Sequence, residues 1–273
     1  MTDKNDYDER FGGLRRLYGE PGYSLLARLH MVVVGLGGVG SWSAEALART
    51  GIGRITLIDY DTVAKSNINR QLVGLTETLD EKKSSVMRAR IHNINPDCQI
   101  NVIDDFINSD NLADYLSAER SYDYVIDAID SIRFKTEMIA HCRRNKLPII
   151  TTGGAGGVTD PTSIHVADLS KTYNDALAAR VRNNLRSRYG FSKNPQRRFG
   201  VECVFSSQHK LYPREDGSVS HQKPGIHGVN LDCRFGYGSS VTVTATFGML
   251  AASRAINKTL HKHQRQEKEA AHG

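Results

Sequence analysis

Apolar positions in the first part of the chain fall into short unbroken runs, separated by stretches with helical spacing. The run "HMVVVGLG" (30–37) predicts a buried strand. "GSWSAEALARTG" (40–51) then places Ala44, Leu47 and Ala48 on one face of a helix. "RITLIDYD" (54–61) predicts a second strand, and "EKKSSVMRARIHNIN" (81–95) a helix stopped by Pro96. "QINVIDDF" (99–106) and "YDYVIDAID" (122–130) follow as strands, "KTEMIAHCRRN" (135–145) as a helix and "LPIITTGGAGG" (147–157) as a fifth strand. This alternation predicts βαβ units: an α/β fold, doubly wound, with a largely parallel sheet whose ligand gathers beyond the strands' C-terminal ends.

Further along, "NDALAARVRNNLRSRYG" (174–190) reads as a helix. Asn174 or Asp175 can cap it, Leu177, Val181 and Leu185 form its inward stripe, and Gly190 can end it. "GSSVTVTATFGMLAASRAI" (238–256) is rich in Ser and Thr, which favours a buried helix, or a strand and then a helix, over the lesser alternative of a membrane segment. The expected division is an N-terminal arm (1–24), one nucleotide-binding domain with a C-terminal extension (25–258) and a disordered tail (259–273). Within the domain a basic insertion covers about 171–200.

At 273 residues, with 39% hydrophobic and 24% charged residues, the chain is composed like an ordinary globular protein. Cys98, Cys142, Cys203 and Cys233 are far apart and form no C-x-x-C pair, so neither a disulfide framework nor a zinc ribbon is expected. A reducing cytoplasm suits them, and the N-terminus is not a secretory signal. Net charge is +6, but residues 171–198 alone carry eight Lys or Arg against Asp175, a balance of +7 that leaves −1 for the rest. Such a run is commonly a solvated helix face. Concentrated in one element, Arg180, Arg182, Arg186, Arg188, Lys193, Arg197 and Arg198 also suit a polyanion such as nucleic acid.

The chemistry centres on "VVVGLGGVG" (32–40), where Gly35, Gly37 and Gly40 follow a strand and open a helix. Gly38 adds to the loop, and Asp59 ends the next strand where a ribose hydroxyl would be held. A helix N-terminus with small residues receives phosphate. The next stretch, "DTVAKSNINRQLVGLTETLDEKK", supplies Asn67, Arg70 and Lys83, and Asp130 ends the "VIDAID" run. Singly these have ordinary explanations: a turn cap, a surface ion pair, a solvated lysine, a helix cap. Together at the top of one sheet they favour ATP over NAD, because cleavage between the α- and β-phosphates needs cations on the departing pyrophosphate. Asp130 stands where a Mg²⁺ ligand would face the phosphates.

"GLGGVG", "LIDYDTVAKSNINRQ", Lys83 and "VIDAID" together resemble the adenylating enzymes related to MoeB, ThiF and the ubiquitin activators. The resemblance implies a homodimeric, Rossmann-like ATP-binding fold that makes acyl-adenylates with Mg²⁺. It gives Asp59 the ribose, the Gly37–Gly40 loop the phosphates, Asn67, Arg70 and Lys83 the triphosphate and Asp130 the metal. An N-terminal arginine, Arg16 rather than Arg10, would reach the partner's ATP site. Two C-x-x-C pairs of MoeB and ThiF are absent here, so no zinc is expected. "RFGGLRRLYGE", "EALARTGIGRITLID", "CRRNKLPIITTGGAGG" and "DCRFGYGSSVTVTATFG" resemble the tRNA threonylcarbamoyladenosine dehydratase branch (the TcdA or CsdL type), from Arg10 to about Lys258. That branch implies ATP-dependent cyclisation of the modified adenosine beside the anticodon. An association with a cysteine desulfurase system rests on the same resemblance.

Two alternatives remain open at this point: adenylation of the C-terminus of a ubiquitin-like sulfur carrier, and a nucleotide-binding scaffold without turnover or an NAD protein. Relatives that transfer carriers use a cysteine, which makes Cys233 a candidate nucleophile beside the commoner state of an inert thiol. The second glycine cluster, Thr151–Gly157, lets backbone approach a substrate or a monovalent cation, or simply ends a strand.

Overall fold

Val32, Val33 and Val34 alternate between two faces of one strand, and both faces are buried, which is why an unbroken apolar run forms here rather than an alternating one. The computed structural model describes residues 4–222 and 237–271. In chain order the elements are α1 (Lys4–Leu26), β1 (His30–Val34), α2 (Gly40–Arg49), β2 (Arg54–Ile58), α3 (Lys83–Ile94), β3 (Gln99–Ile103), α4 (Leu112–Tyr115) and β4 (Tyr124–Asp127). They continue with α5 (Ile132–Arg144), β5 (Ile149–Thr152), β6 (Ile164–Asp168), α6 (Ala176–Arg188), β7 (Glu202–Ser206), β8 (Tyr212–Pro213), β9 (Val219–Ser220) and α7 (Val241–Ala271).

Seven strands form one sheet in the order β3-β2-β1-β4-β5-β7-β6, all parallel except β6, which runs antiparallel to β7. The chain leaves β1 toward β3 and returns to β4 on the other side of β1. A crevice therefore opens beyond the C-terminal ends of β1 and β4, where Val34 registers with Asp127. One face of the sheet (Met31, Val33, Ile55, Leu57, Ile126, Ile150) packs against the end of α1 and against α2, α3 and α7. The other (Val32, Val34, Ile58, Val125) packs against α4, α5 and α6.

Three features differ from the sequence reading. β6, β7 and the β8–β9 hairpin were not anticipated, because "IHVAD" is only partly buried and "ECVFS" follows a polar, basic segment without an intervening helical repeat. The expected disordered tail is helical to Ala271. Its helix is held by the stripe Val243, Phe247, Ala251, Ala255 and Leu260 against the sheet, and its exposed end carries an Arg265–Glu269 pair at 3.5 Å. The N-terminal arm is also helical and docked: Tyr7 donates to the Gly51 carbonyl (2.7 Å) and Phe11 is buried, until Gly19 (φ 71°) breaks the helix just before Pro21.

No helix among the described residues is long and apolar enough to cross a membrane.

Candidate active site

The turn after β1 is built for close backbone approach. Gly35 has φ 87°, and a Cβ on Gly40 would sit 1.7 Å from the Gly35 carbonyl oxygen, so both positions require glycine. At Gly37 a Cβ would meet nothing within 4 Å, which leaves open space over the loop. No side chain caps the N-terminus of α2, and although Ser41 N–H is taken by the Gly37 carbonyl (3.1 Å), this end of the helix brings its partial positive charge to the loop. The small residues at 38 and 248 let neighbours close in: the Arg70 stem and Thr244 lie over Gly38, and Gly248 of α7 meets the Val39 carbonyl.

Asp59 follows β2 and is buried. Its carboxylate accepts the Leu36 N–H of the glycine loop and the Asp61 N–H (2.8 Å), which fixes the acid beside the loop. Burial raises its pKa, while those two N–H bonds and Lys83 pull it down. Lys83 opens α3, is only 5% exposed, and donates to Asp61 Oδ2 at 2.8 Å. It is a placed ammonium rather than a solvated neighbour of Lys82, whose own amine reaches the Tyr60 carbonyl and Asp104.

Asn67 is buried and its Oδ1 accepts the Ala64 N–H (3.1 Å), closing the turn that precedes Arg70. Arg70 makes no carboxylate pair among the described residues. Its guanidinium donates to the Ser66 carbonyl (2.7 Å) and Asn69 Oδ1 (2.9 Å), and its own carbonyl accepts from Trp42 Nε1 (3.0 Å). A cation held by neutral acceptors, with its stem across the glycine loop, is free to exchange those bonds for phosphate.

β4 ends at Asp127, three residues earlier than the sequence reading placed it, so Asp130 lies in the following loop and is exposed. A solvated carboxylate at this edge has the oxygen-donor chemistry that Mg²⁺ accepts, although no cluster of three acidic, His or Cys side chains stands there among the described residues. Sequence reasoning missed the carboxylate beneath it. Asp127 is fully buried, paired with Lys135 (2.9 Å) and accepting the Thr151 hydroxyl (2.6 Å), and Lys135 also donates to Thr151 (3.0 Å). Complete burial pushes the Asp127 carboxyl up, with Lys135 and Thr151 opposing. The pair ties β4, β5 and α5 together under the crevice. "VIDAID" offers two Asp residues with no sequence signal to tell the structural one from the exposed one.

The second glycine cluster turns at the end of β5, where Gly157 has φ 72° and Gly154 N–H donates to Asp175 (2.9 Å). Asp175 also caps α6 through the Ala178 N–H (2.8 Å), so α6 starts at the crevice side of the sheet and descends from it. Ala178, Val181 and Leu185 face the core, with Leu177 only partly covered. Arg180, Arg188, Lys193, Arg197 and Arg198 are exposed. Arg182 and Arg186 are not fully presented: Arg182 donates to the Thr172 hydroxyl, and Arg186 lies over the Phe199 ring (5.4 Å) and donates to the Ser192 carbonyl (3.3 Å). Burial also lowers the Arg182 pKa. Exposed Arg143 of α5 lies beside Gly200, and with Arg144 it extends the basic surface in a way the segment's own composition did not reveal.

The structure does not bring Arg16 to its own crevice. It is exposed on α1, whose Tyr7 and Phe11 dock at Gly51, beyond the end of α2 remote from the glycine loop. Arg10 is occupied by Asp6 (2.8 Å). Cys98, Cys142 and Cys203 are buried free thiols, each pushed up by desolvation, Cys98 to about 12. Cys233 lies outside the described residues.

The ThiF family model matches residues 10–272, nearly the whole chain. The chain belongs to the ThiF family. Within the ThiF family, the tRNA threonylcarbamoyladenosine dehydratase of Escherichia coli (strain K12) is 52% identical over 259 residues, covering 94% of this chain and 96% of that protein. The enzyme of the same description from Haemophilus influenzae is 49% identical over 262 residues, covering 96% and 97%. A solved structure of the E. coli dehydratase, TcdA, in complex with ATP superposes with a TM-score of 0.86 at 48% identity, covering 97% of this chain and all of that one. The doubly wound, largely parallel α/β fold expected from the sequence is thus matched at full length by a relative solved with ATP.

Proposed function

We propose that this ThiF-family chain is an ATP-dependent tRNA threonylcarbamoyladenosine dehydratase. ATP lies with its ribose on Asp59 and its phosphates over the Gly35–Gly40 loop. The threonine carboxylate of the modified adenosine attacks the α-phosphorus, the bond to the β-phosphate breaks, and pyrophosphate leaves. A nucleophile within the same side chain then attacks the acyl-adenylate carbonyl, closing a ring and releasing AMP. The nucleoside loses one water overall, and because the attacker is held within the same group, no enzyme thiol is required. Lys83 and Arg70 carry charge for the departing pyrophosphate, and Asn67 holds the turn that aims Arg70. Asp130 would hold Mg²⁺, which would supply positive charge against the phosphates.

The observation that carries this reading is the buried Lys83 ammonium, set through Asp59 and Asp61 beside the open glycine loop. A nicotinamide dehydrogenase has no use for such a cation there. The exposed basic residues of α6 and the segment after it hold tRNA phosphates. The enzyme works in the cytoplasm as a homodimer in which Arg16 enters the neighbouring crevice, a reading supported by exposed Arg16 beside Leu17, an apolar side chain 70% exposed.

Incubation with ATP, Mg²⁺ and native tRNA tests the reading. A nucleoside lighter by one water, with AMP and pyrophosphate in equal amounts, is the expected result. Pyrophosphate release only with a small carrier protein ending in Gly-Gly would replace it with the sulfur-carrier alternative.

A further inference from the structure

Lys210 stands after β7 and sends its side chain back under the glycine loop at the end of β5. Its ammonium donates to the carbonyls of Gly154 and Gly156, the latter at 2.7 Å, and lies 5.8 Å from the centre of the Tyr237 ring. The stem packs against Gly157, where a Cβ would come within 3.3 Å of Lys210 Cδ. Carbonyl oxygens and an aromatic face converging on one point are the surroundings that a small monovalent cation takes. Here that point is filled by the chain's own amine. Desolvation lowers the Lys210 pKa, with Asp175 opposing.

The cradle is connected to the ATP-gripping residues. Leu211 N–H donates to the Gly157 carbonyl (2.7 Å), and Gly157 N–H donates to the Gly238 carbonyl (2.8 Å). The next carbonyl, of Ser239, accepts from Asn69 Nδ2 (3.0 Å), and Asn69 Oδ1 accepts from Arg70. Thr244, just inside α7, donates to the Arg70 carbonyl (3.4 Å). A continuous set of bonds therefore runs from Lys210 through the second glycine loop and the start of α7 to the guanidinium over the first glycine loop.

We infer that Lys210 is a positioning residue for the adenylation site, a tethered cation that holds the Gly154–Gly157 loop and, through Gly238 and Ser239, sets Arg70 for ATP, so that this site needs no free monovalent cation. The effect on turnover rests on the proposed adenylation reaction; the cradle itself does not. Removing the ammonium leaves two partly buried carbonyls without their donor, and a small free cation can take its place.

Lys210→Met tests this, because methionine keeps most of the stem but is one heavy atom shorter and carries no charge. The variant, Lys210→Ala and the unaltered protein are assayed in choline buffer and then with added ammonium or methylammonium. The unaltered protein is expected to be indifferent to these ions. Both variants are expected to lose about 10- to 100-fold in kcat/KM for ATP, the scale of a misplaced binding loop. Ammonium should restore them to within about threefold, and should raise their thermal midpoints but not that of the parent. Full activity of Lys210→Met in choline alone would overturn the inference, as would variants whose activity and thermal midpoint ignore ammonium. If the unaltered protein turns over no tRNA, the proposed reaction fails, and the ammonium-dependent midpoint still decides the cradle.

Discussion

Lys83 Nζ lies 2.8 Å from Asp61 Oδ2, with the lysine buried and the aspartate side chain 46% exposed. The asymmetry separates catalysis from folding. When Lys83→Ala removes the cation, Asp61 stays hydrated, so the ion pair's loss costs about 1 kcal/mol or less. Loss of a charge placed for the departing pyrophosphate costs about 100- to 1000-fold in rate. Pyrophosphate release and a thermal melt, measured together, should therefore diverge. Full turnover in the variant would take Lys83 out of the site.

Gly37 and Gly40 give a matched pair. Alanine at Gly40 collides with the Gly35 carbonyl, so Gly40→Ala should lower both the melting temperature and ATP binding. Alanine at Gly37 meets nothing in the protein, so Gly37→Ala should melt like the parent yet bind ATP about tenfold more weakly, a loss of about 1.4 kcal/mol. Equal ATP affinity in Gly37→Ala and the parent would place the phosphates elsewhere.

Arg180, Arg188, Lys193, Arg197 and Arg198 are the exposed members of the basic segment, whereas Arg182 and Arg186 help to hold it. Glutamate at the five exposed positions should weaken tRNA binding uniformly. The salt dependence should flatten by about 0.7 to 0.9 log units for each phosphate that is no longer neutralised. Glutamate at Arg182 or Arg186 should instead lower the melting temperature. An unchanged salt slope in the fivefold variant would move the tRNA to another face.

His30 is held neutral. Burial, and secondarily Arg54, lower its pKa from 6.5 to about 4, and Nε2 meets the Thr56 hydroxyl at 2.9 Å. The unfolded chain therefore takes up the proton first as pH falls. The stability due to neutral His30 is complete above pH 6.5 and is lost between 6.5 and about 4. Urea unfolding at pH 7.5 and 5 should give a smaller drop for His30→Asn than for the parent, by about 1 kcal/mol. Equal drops would show that His30 is already protonated in the folded state.

The parallel core was legible because short, mainly apolar strands such as "HMVVV" and "YVID" alternate with helical stretches, and Gly35 to Gly40 mark the turn after the first of them. Asp59 was legible from its distance to that turn. The partition of "VIDAID" was not, since Asp127 and Asp130 differ only in the burial that Lys135 and Thr151 create from other elements. Lys210 was invisible for the same reason, as its carbonyl partners belong to a loop more than fifty residues away. The α7 extension was misread because a charged, polar end looks unstructured until the stripe ending at Leu260 is seen to continue from Val243.

α7 also has a consequence for how the protein is made. Part of one apolar face of the sheet, with Ile126, Ile150 and Val204, is roofed by a helix that starts only at Val241. A nascent chain can pair all seven strands and still leave that part of the face uncovered while α7 remains in the ribosome's tunnel. Ribosome stalling before α7 emerges therefore leaves a sticky half-roofed sheet for chaperones to guard.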